Sequence, residues 1–309
     1  MAMTADDFII PAKASSPAGH KLPVLETVIA AFRDLAANRQ AAVRISSAWS
    51  AVFAVVAFAA FALIVGAQAT LAASPWLTLA VVYLPPLVFI LFTFSAAVGW
   101  HRLVLLGEQP APLYLRLDRQ VWRYIGALFL MGLVIWLLAI LAAIPAVPAF
   151  YFLLGTDPAL WSAGRLAIAG LIGAVLYIAM VLAVSRIAIA LPARAIGQRM
   201  KFREALAATR GNSWRILGGS LLIAVPSVVL HAIMNLLLDF QVRMPGGALN
   251  WTGIFGFLAT MAVALLALVA LTLVSISFLS RAYRFFAGRG PAGHMADAMS
   301  GPMGQPMLA

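Results

Sequence analysis

Five long windows without a charged residue divide this sequence. Lysine, arginine, aspartate and glutamate make up only 10% of the 309 residues, and they lie between the windows. The windows run from 45 to 101, 124 to 156, 166 to 185, 216 to 238 and 244 to 280, and each contains at least 20 residues. A helix of about 20 residues rises about 30 Å, which is the thickness of the hydrocarbon core of a bilayer. The windows therefore predict an all-α, polytopic membrane protein.

Six membrane-spanning helices are predicted, because the first window is too long for one helix. Turn-forming and polar residues between Gly66 and Pro75 divide it in two. We expect three hairpins within one transmembrane domain, residues 24–287. The flanking segments 1–23 and 288–309 lack hydrophobic periodicity and are predicted to be mobile tails, the first without an apolar run long enough for a cleavable signal peptide. The predicted spans are 46–67, 76–101, 124–146, 164–186, 214–238 and 252–281.

The charges are distributed unequally between the two predicted faces. Of the 21 Lys and Arg, only Arg165 and Arg243 fall on one face, where two of the ten acidic residues balance them. The other face has 19 cations and eight acidic residues, so it carries a net charge of +11. Positive charge in short loops marks the cytoplasmic side of a membrane protein. We therefore expect a protein of the bacterial inner membrane with both termini in the cytoplasm. Cations beside spans contact anionic lipids, so we expect membrane lipids and no nucleic acid as partners.

Sequence motifs for catalysis or metal binding are missing. The chain has no Cys and four His, and it contains no zinc-protease motif, phosphate-binding loop, dinucleotide fingerprint or nucleophile elbow. His101, Arg102 and Glu108 lie together in sequence and could do acid–base work, but such a group more often anchors a helix end. We predict a non-enzymatic protein with no catalytic residue, no metal site and no cofactor.

Two segments share a Trp-Arg-x-x-Gly pattern. Residues 122–126 (WRYIG) open the third predicted span and residues 214–218 (WRILG) open the fifth, with Trp49 at the matching place in the first. These similarities favour three repeated units, each an amphipathic helix followed by a hairpin. The alternative is that Trp and Arg are simply common at membrane interfaces.

Amphipathic helices are predicted before the odd-numbered spans. Residues 25–36 carry an apolar stripe with helical spacing, residues 202–209 repeat it, and a shorter version runs from Leu113 through Leu117 to Val121. Such helices either lie in the membrane interface against anionic headgroups or act as packed connectors. The candidate headgroup contacts are Arg33, Arg39, Arg102, Arg116, Arg203, Arg210 and Arg215.

One segment carries a resemblance to a known group. Residues 191–197 (LPARAIG), 204–206 (EAL) and 209–215 (TRGNSWR) resemble an uncharacterised six-helix bacterial integral membrane protein family. That family is related to the membrane domain attached to some glycerophosphodiester phosphodiesterases, whose catalysis belongs to a separate soluble barrel. The resemblance therefore implies a membrane module and supplies no catalytic residue. Gln198 stands where the family usually has an acidic residue.

A polar pair inside the fifth span leaves two functions open. His231 and Asn235 are four residues apart, so they share one helix face, with Pro226 upstream. Polar groups in a membrane can line a solute path, which would make the protein a transporter or permease for a small solute. His231 can equally form a hydrogen bond within the bundle. We favour a scaffold that organises lipid, a membrane-protein partner or a second copy of itself.

Overall fold

A computed structural model describes residues 21–155, 161–242 and 251–287. In these ranges all regular structure is helical, and six helices (α2, α4, α5, α6, α9 and α10) are long and apolar enough to cross a membrane. The predicted all-α class and six spans are confirmed. Most of both predicted tails lies outside the described residues. The helices are α1 Val24–Ala37, α2 Arg39–Gly66, α3 Gln68–Ala73, α4 Pro75–Leu106, α5 Arg119–Leu154, α6 Ala163–Ile187, α7 Ala190–Ala195, α8 Phe202–Ala208, α9 Ser213–Val242 and α10 Trp251–Ala287.

The helices extend beyond the predicted spans. Charged residues mark the ends of the predicted spans, but a helix can continue past the hydrocarbon when its charged side chains face outward. Arg39 and Arg44 lie within α2 and are exposed. Helix α5 also continues past Pro145 and Pro148, because a helix within a membrane has few alternatives for satisfying its backbone groups.

The prediction of a short amphipathic helix from Leu113 to Val121 is wrong. Residues 107–118 are not helical: Gly107, at φ 70°, ends α4 in the left-handed conformation that glycine adopts readily. Asp118 then caps α5, since its Oδ1 accepts hydrogen bonds from the backbone N–H groups of Gln120 and Val121, both at 3.1 Å. Val121 is therefore a buried residue of α5 and does not share a helix with Leu113.

Five of the long helices form a closed ring. In order around it, α4 contacts α10, α10 contacts α9, α9 contacts α6, α6 contacts α5, and α5 returns to α4. Helix α2 packs mainly against α4. The short helix α7 contacts α4, α5 and α10, and most of its residues are buried, so it occupies one end of the ring. Helix α9 approaches α10 closely at Gly219, where an added Cβ would collide with the ring of Phe278.

Tight packing is concentrated at one end of the bundle. We call it the charged end: the starts of α2, α5 and α9, the ends of α4, α6 and α10, and helices α1, α7 and α8. One cluster of buried side chains surrounds Trp100 and Val121, and a second contains Leu22, Ile216 and Phe278. Water drives apolar burial, whereas lipid tails are themselves apolar, so a dense hydrophobic core is expected outside the hydrocarbon. Leu22, which the prediction placed in the N-terminal tail, is fully buried in that core.

Candidate functional site at the charged end

The loop between α4 and α5 contains a network of ion pairs. Arg102 donates from Nε to Glu108 Oε2 at 2.7 Å and from Nη1 to Gln120 Oε1 at 2.6 Å. Arg116 donates from Nη1 to Glu108 Oε1 at 3.1 Å and from Nε to Asp118 Oδ2 at 2.5 Å. Both arginines were predicted headgroup contacts, and the structure gives both guanidinium groups acidic partners within the protein. Their positions are explained by these partners.

The two acidic groups of this network stay ionised into the acid range. Partial burial by itself would raise the pKa of Glu108, but hydrogen bonds and positive charge from Arg102 and Arg116 hold that pKa below its ordinary value of 4.5. Burial likewise opposes ionisation of Asp118, yet Arg116 and the backbone N–H groups that begin α5 lower its pKa. The pKa of Arg116 is raised by Asp118 despite burial. The carboxylates of Glu108 and Asp118 are therefore ionised at neutral pH.

The segment that carries the resemblance forms a joint between distant parts of the chain. Asn212 Oδ1 accepts a hydrogen bond from the backbone N–H of Leu22 at 2.8 Å. Arg215 donates from Nη1 to the carbonyl of the same Leu22 at 2.9 Å, so the entry to α1 is fixed to the start of α9. Gly211, at φ 80°, makes the turn that brings these groups together. Arg215, another predicted headgroup contact, thus has a partner inside the protein.

A second part of the same segment fixes α6 to α8. Thr209 is fully buried, and its hydroxyl oxygen accepts a hydrogen bond from Arg186 Nε at 3.1 Å. Arg186 also donates to the carbonyl of Leu206. The motif residues therefore have structural roles at helix junctions. These roles could not be predicted from local sequence, because the partners lie about 20 residues or more away.

The remaining predicted headgroup contacts form a different set. Their side chains lie on the surface of the charged end, and lipid contact stays a prediction for them. They are Arg33, Arg39, Arg203 and Arg210.

Helix α1 presents apolar side chains outward. Val28 and Ala31 are buried against the bundle. Leu25, Ile29 and Phe32 are 63%, 41% and 40% exposed, although the sequence pattern placed them on the same stripe as Val28. Their spacing of four and three puts these three side chains along one helix face. An exposed apolar face at the charged end is the arrangement that a membrane-interface helix has.

Buried hydrogen bonds join α4 to α5 and α10. The indole Nε1 of Trp100 donates to Ser277 Oγ at 2.6 Å. The Ser280 hydroxyl donates to its own helix at the carbonyl of Ile276, so its oxygen is free to accept from His101 Nδ1 at 2.7 Å. Nε2 of the fully buried His101 then faces the Tyr124 hydroxyl at 3.4 Å. His101 and Glu108 thus have different partners, which gives His101 an anchoring role in the structure.

An open cleft near α7 is a basic site that the sequence analysis did not identify. It has a volume of about 460 Å³. Arg123, exposed at the start of α5, and Arg199, exposed in the loop before α8, lie on its wall with the half-buried Arg194. Gly126 and Leu130 of α5 line its apolar side. The available signals were the WRYIG and LPARAIG segments, which supply four of its nine lining residues.

The intramembrane pair lies on α9 with both side chains exposed. His231 Nδ1 lies 2.7 Å from the carbonyl of Ser227, one turn earlier in the same helix. Asn235 is also exposed, and the side chain of Asp239 lies outside the described residues. The solute path through His231 and Asn235 stays a prediction. In the described parts of the chain, no group of three His, Asp or Glu side chains gathers where a metal ion could bind.

The tryptophans of the proposed repeat have different environments. Trp122 and Trp214 are exposed at the charged end, at the starts of α5 and α9. Trp49 is buried, and its Nε1 donates to Ser95 Oγ at 3.1 Å. The structural similarity of these positions is therefore limited to the second and third units. Comparison of the chain with known protein families, with curated proteins and with solved structures finds no match.

Proposed function

We propose that this chain is a non-enzymatic protein of the bacterial inner membrane that binds and organises anionic lipid at its charged end. That end faces the cytoplasm in this proposal, because the excess of Lys and Arg follows the positive-inside pattern. A membrane-protein partner or a second copy would meet the same surface. The observation that carries the proposal is the separation of the arginines into an inner set and an outer set.

The arginines of the inner set bind partners within the protein. Arg102 and Arg116 are paired with acidic side chains, and Arg215 is bonded to a backbone carbonyl. The outer set is exposed on the same end: Arg33, Arg39, Arg203 and Arg210.

Apolar surface accompanies the outer set. Arg33 lies on α1 next to the exposed Phe32, and Leu25 and Ile29 continue the exposed apolar face. Each cation held near an anionic membrane surface contributes on the order of 1 kcal/mol, and apolar residues inserted among the headgroups add to this binding. The combination fits a surface that holds phosphatidylglycerol or cardiolipin more strongly than neutral lipid.

Lipid analysis of the purified protein tests this proposal. The protein is extracted in mild detergent, and its retained lipids are compared with those of the source membrane. We expect enrichment of anionic lipid, reduced when the four outer-set arginines are replaced by glutamine. The control is Arg165→Gln, which removes a cation near the opposite ends of the spans. Retained lipid with the composition of the source membrane would contradict the proposal.

A further inference from the structure

The open cleft between α5 and the α7–α8 segment has charged and apolar walls. Its nine lining residues include three arginines and no acidic residue. We infer that this cleft holds one anionic phospholipid, with the phosphate among Arg123, Arg194 and Arg199 and an acyl chain along α5. The inference rests on the proposed function and assigns it one specific site.

The arginines of the cleft have unused hydrogen-bond donors. Arg194 Nε is buried and has no hydrogen-bond partner among the described residues, and Arg194 Nη2 makes only a long contact of 3.4 Å with the carbonyl of Met200. A buried donor without a partner is costly, so a ligand that accepts a hydrogen bond from Arg194 Nε would stabilise the site. A phosphate offers several acceptor oxygens and the charge that guanidinium groups prefer. Arg123 and Arg199, both exposed, can approach the same phosphate from the mouth of the cleft.

The apolar wall begins directly beside the arginines. Arg123, Gly126, Ala127 and Leu130 follow one another along α5 at steps of three, one and three residues, so they share one side of the helix. That side advances about 10 Å from the charged end into the apolar span. Gly126 has no side chain, and nothing lies within 4 Å of the place where its Cβ would be. The wall is therefore open along the path that an acyl chain bound below the phosphate would follow.

A second cleft at the charged end shows what distinguishes the first. It has a similar volume of about 450 Å³ and lies between α6, α8 and α9. Among the described residues that line it, Arg186 is the one cation, and Arg186 is bonded to Thr209 and Leu206. That cleft therefore has apolar walls without a free cationic group. The phosphate specificity is assigned to the cleft of Arg123, Arg194 and Arg199 alone.

Native mass spectrometry with added phosphatidylglycerol tests the site. We expect one tightly retained lipid on the intact wild-type chain, and retention at least about tenfold weaker in the variant Arg123→Gln/Arg194→Gln/Arg199→Gln. The matched control is Arg33→Gln/Arg203→Gln/Arg210→Gln, which removes the same charge outside the cleft. This control should lose the more weakly held anionic lipid of the outer set, but it keeps the one tightly retained lipid. Gly126→Leu fills the apolar wall without changing charge, so it also weakens retention and serves if the triple variant does not fold.

The possible results separate the two proposals. Equal loss of the retained lipid in the cleft variant and in the matched control would overturn the cleft site and leave the proposed function standing. Absence of retained anionic lipid on the wild-type chain would overturn both. In a parallel arm, inorganic phosphate replaces the lipid. If phosphate alone raises the unfolding temperature as much as phosphatidylglycerol does, and Gly126→Leu has no effect, the site binds free phosphate and the lipid assignment is overturned.

Discussion

The guanidinium group of Arg281 donates two hydrogen bonds to the carboxylate of Asp34, from Nε to Oδ2 at 2.6 Å and from Nη2 to Oδ1 at 2.5 Å. The two residues are 247 positions apart in sequence. Asp34 lies on α1, before the first span, and Arg281 lies near the end of the last. The bidentate pair therefore holds the beginning and the end of the transmembrane domain together at the charged end.

Removing one partner of this pair is expected to lower stability. Arg281→Gln should reduce the free energy of unfolding by about 1.5 to 3 kcal/mol, the range for hydrogen bonds to charged groups. The measurement is unfolding in detergent, followed by helical circular dichroism. Arg33→Gln, also at the charged end but exposed, is the control and should change little. The double variant Arg281→Gln/Asp34→Asn measures the coupling of the two side chains. If it loses as much free energy of unfolding as the two single variants lose in sum, the side chains are not coupled and the expectation is wrong.

Replacing either of two adjacent glycines of α9 with alanine should have different effects on the stability of the protein. At Gly219 a new Cβ would overlap the ring of Phe278, so Gly219→Ala should destabilise the protein by about 1 to 3 kcal/mol. At Gly218 nothing lies within 4 Å, so Gly218→Ala should be neutral or stabilising by up to about 1 kcal/mol, because alanine favours a helix. Thermal unfolding of both variants tests this. A loss of stability at Gly218 equal to that at Gly219 would contradict the described contact of α9 with α10.

The buried imidazole of His101 depends on one hydroxyl group. Ser280→Ala removes the acceptor of Nδ1–H and leaves that buried donor unsatisfied, which should cost about 1 to 3 kcal/mol. Ser275→Ala on the same helix is the matched control, since the exposed Ser275 hydroxyl bonds only to the Leu271 carbonyl at 2.9 Å. Unfolding temperatures of the two variants give the comparison. Equal values would mean that Ser280 does not anchor His101.

The contribution of Glu108 to stability should be lost in acid. Its pKa is lowered in the folded protein by Arg102 and Arg116, so the ionised form stabilises the fold above the ordinary pKa of 4.5. As the pH falls from there through the lowered folded-state pKa, this contribution disappears. Glu108 is 41% exposed, so we expect less than about 1 kcal/mol. Wild type should exceed Glu108→Gln in unfolding temperature at pH 7, and the difference should shrink as the pH falls below 4.5. A difference in unfolding temperature that grows in acid would contradict this assignment. Glu26→Gln, a substitution of an exposed residue, is the control.

The number and positions of the spans could be predicted because burying a charge in hydrocarbon is costly. The 57-residue first window contained a break, and the structure ends α2 at Gly66 and begins α4 at Pro75, where Ser74 Oγ accepts a hydrogen bond from the Leu77 N–H. The ends of the helices could not be predicted in the same way, because exposed arginines such as Arg39 do not end a helix.

The roles of the individual arginines could not be read from local sequence. Arg33 and Arg102 both lie near a helix end, yet the first is exposed and the second is paired with Glu108. The difference depends on loops and helices that meet only in the folded chain, as Leu22 and Asn212 do across 190 residues. The basic cleft could not be predicted for the same reason, since Arg123 lines one cleft with Arg194 and Arg199 only when α7 occupies its place at the end of the ring.

Membrane topology is the central claim, and labelling of single cysteines tests it most directly. The chain contains no cysteine, so each introduced thiol gives one signal. A membrane-impermeant maleimide added to intact cells with a permeable outer membrane should label Ala72→Cys and Trp161→Cys. It should label Gln109→Cys only after the inner membrane is opened. Labelling of Gln109→Cys in intact cells, or opposite results for Ala72→Cys and Trp161→Cys, would contradict six spans with the charged end in the cytoplasm.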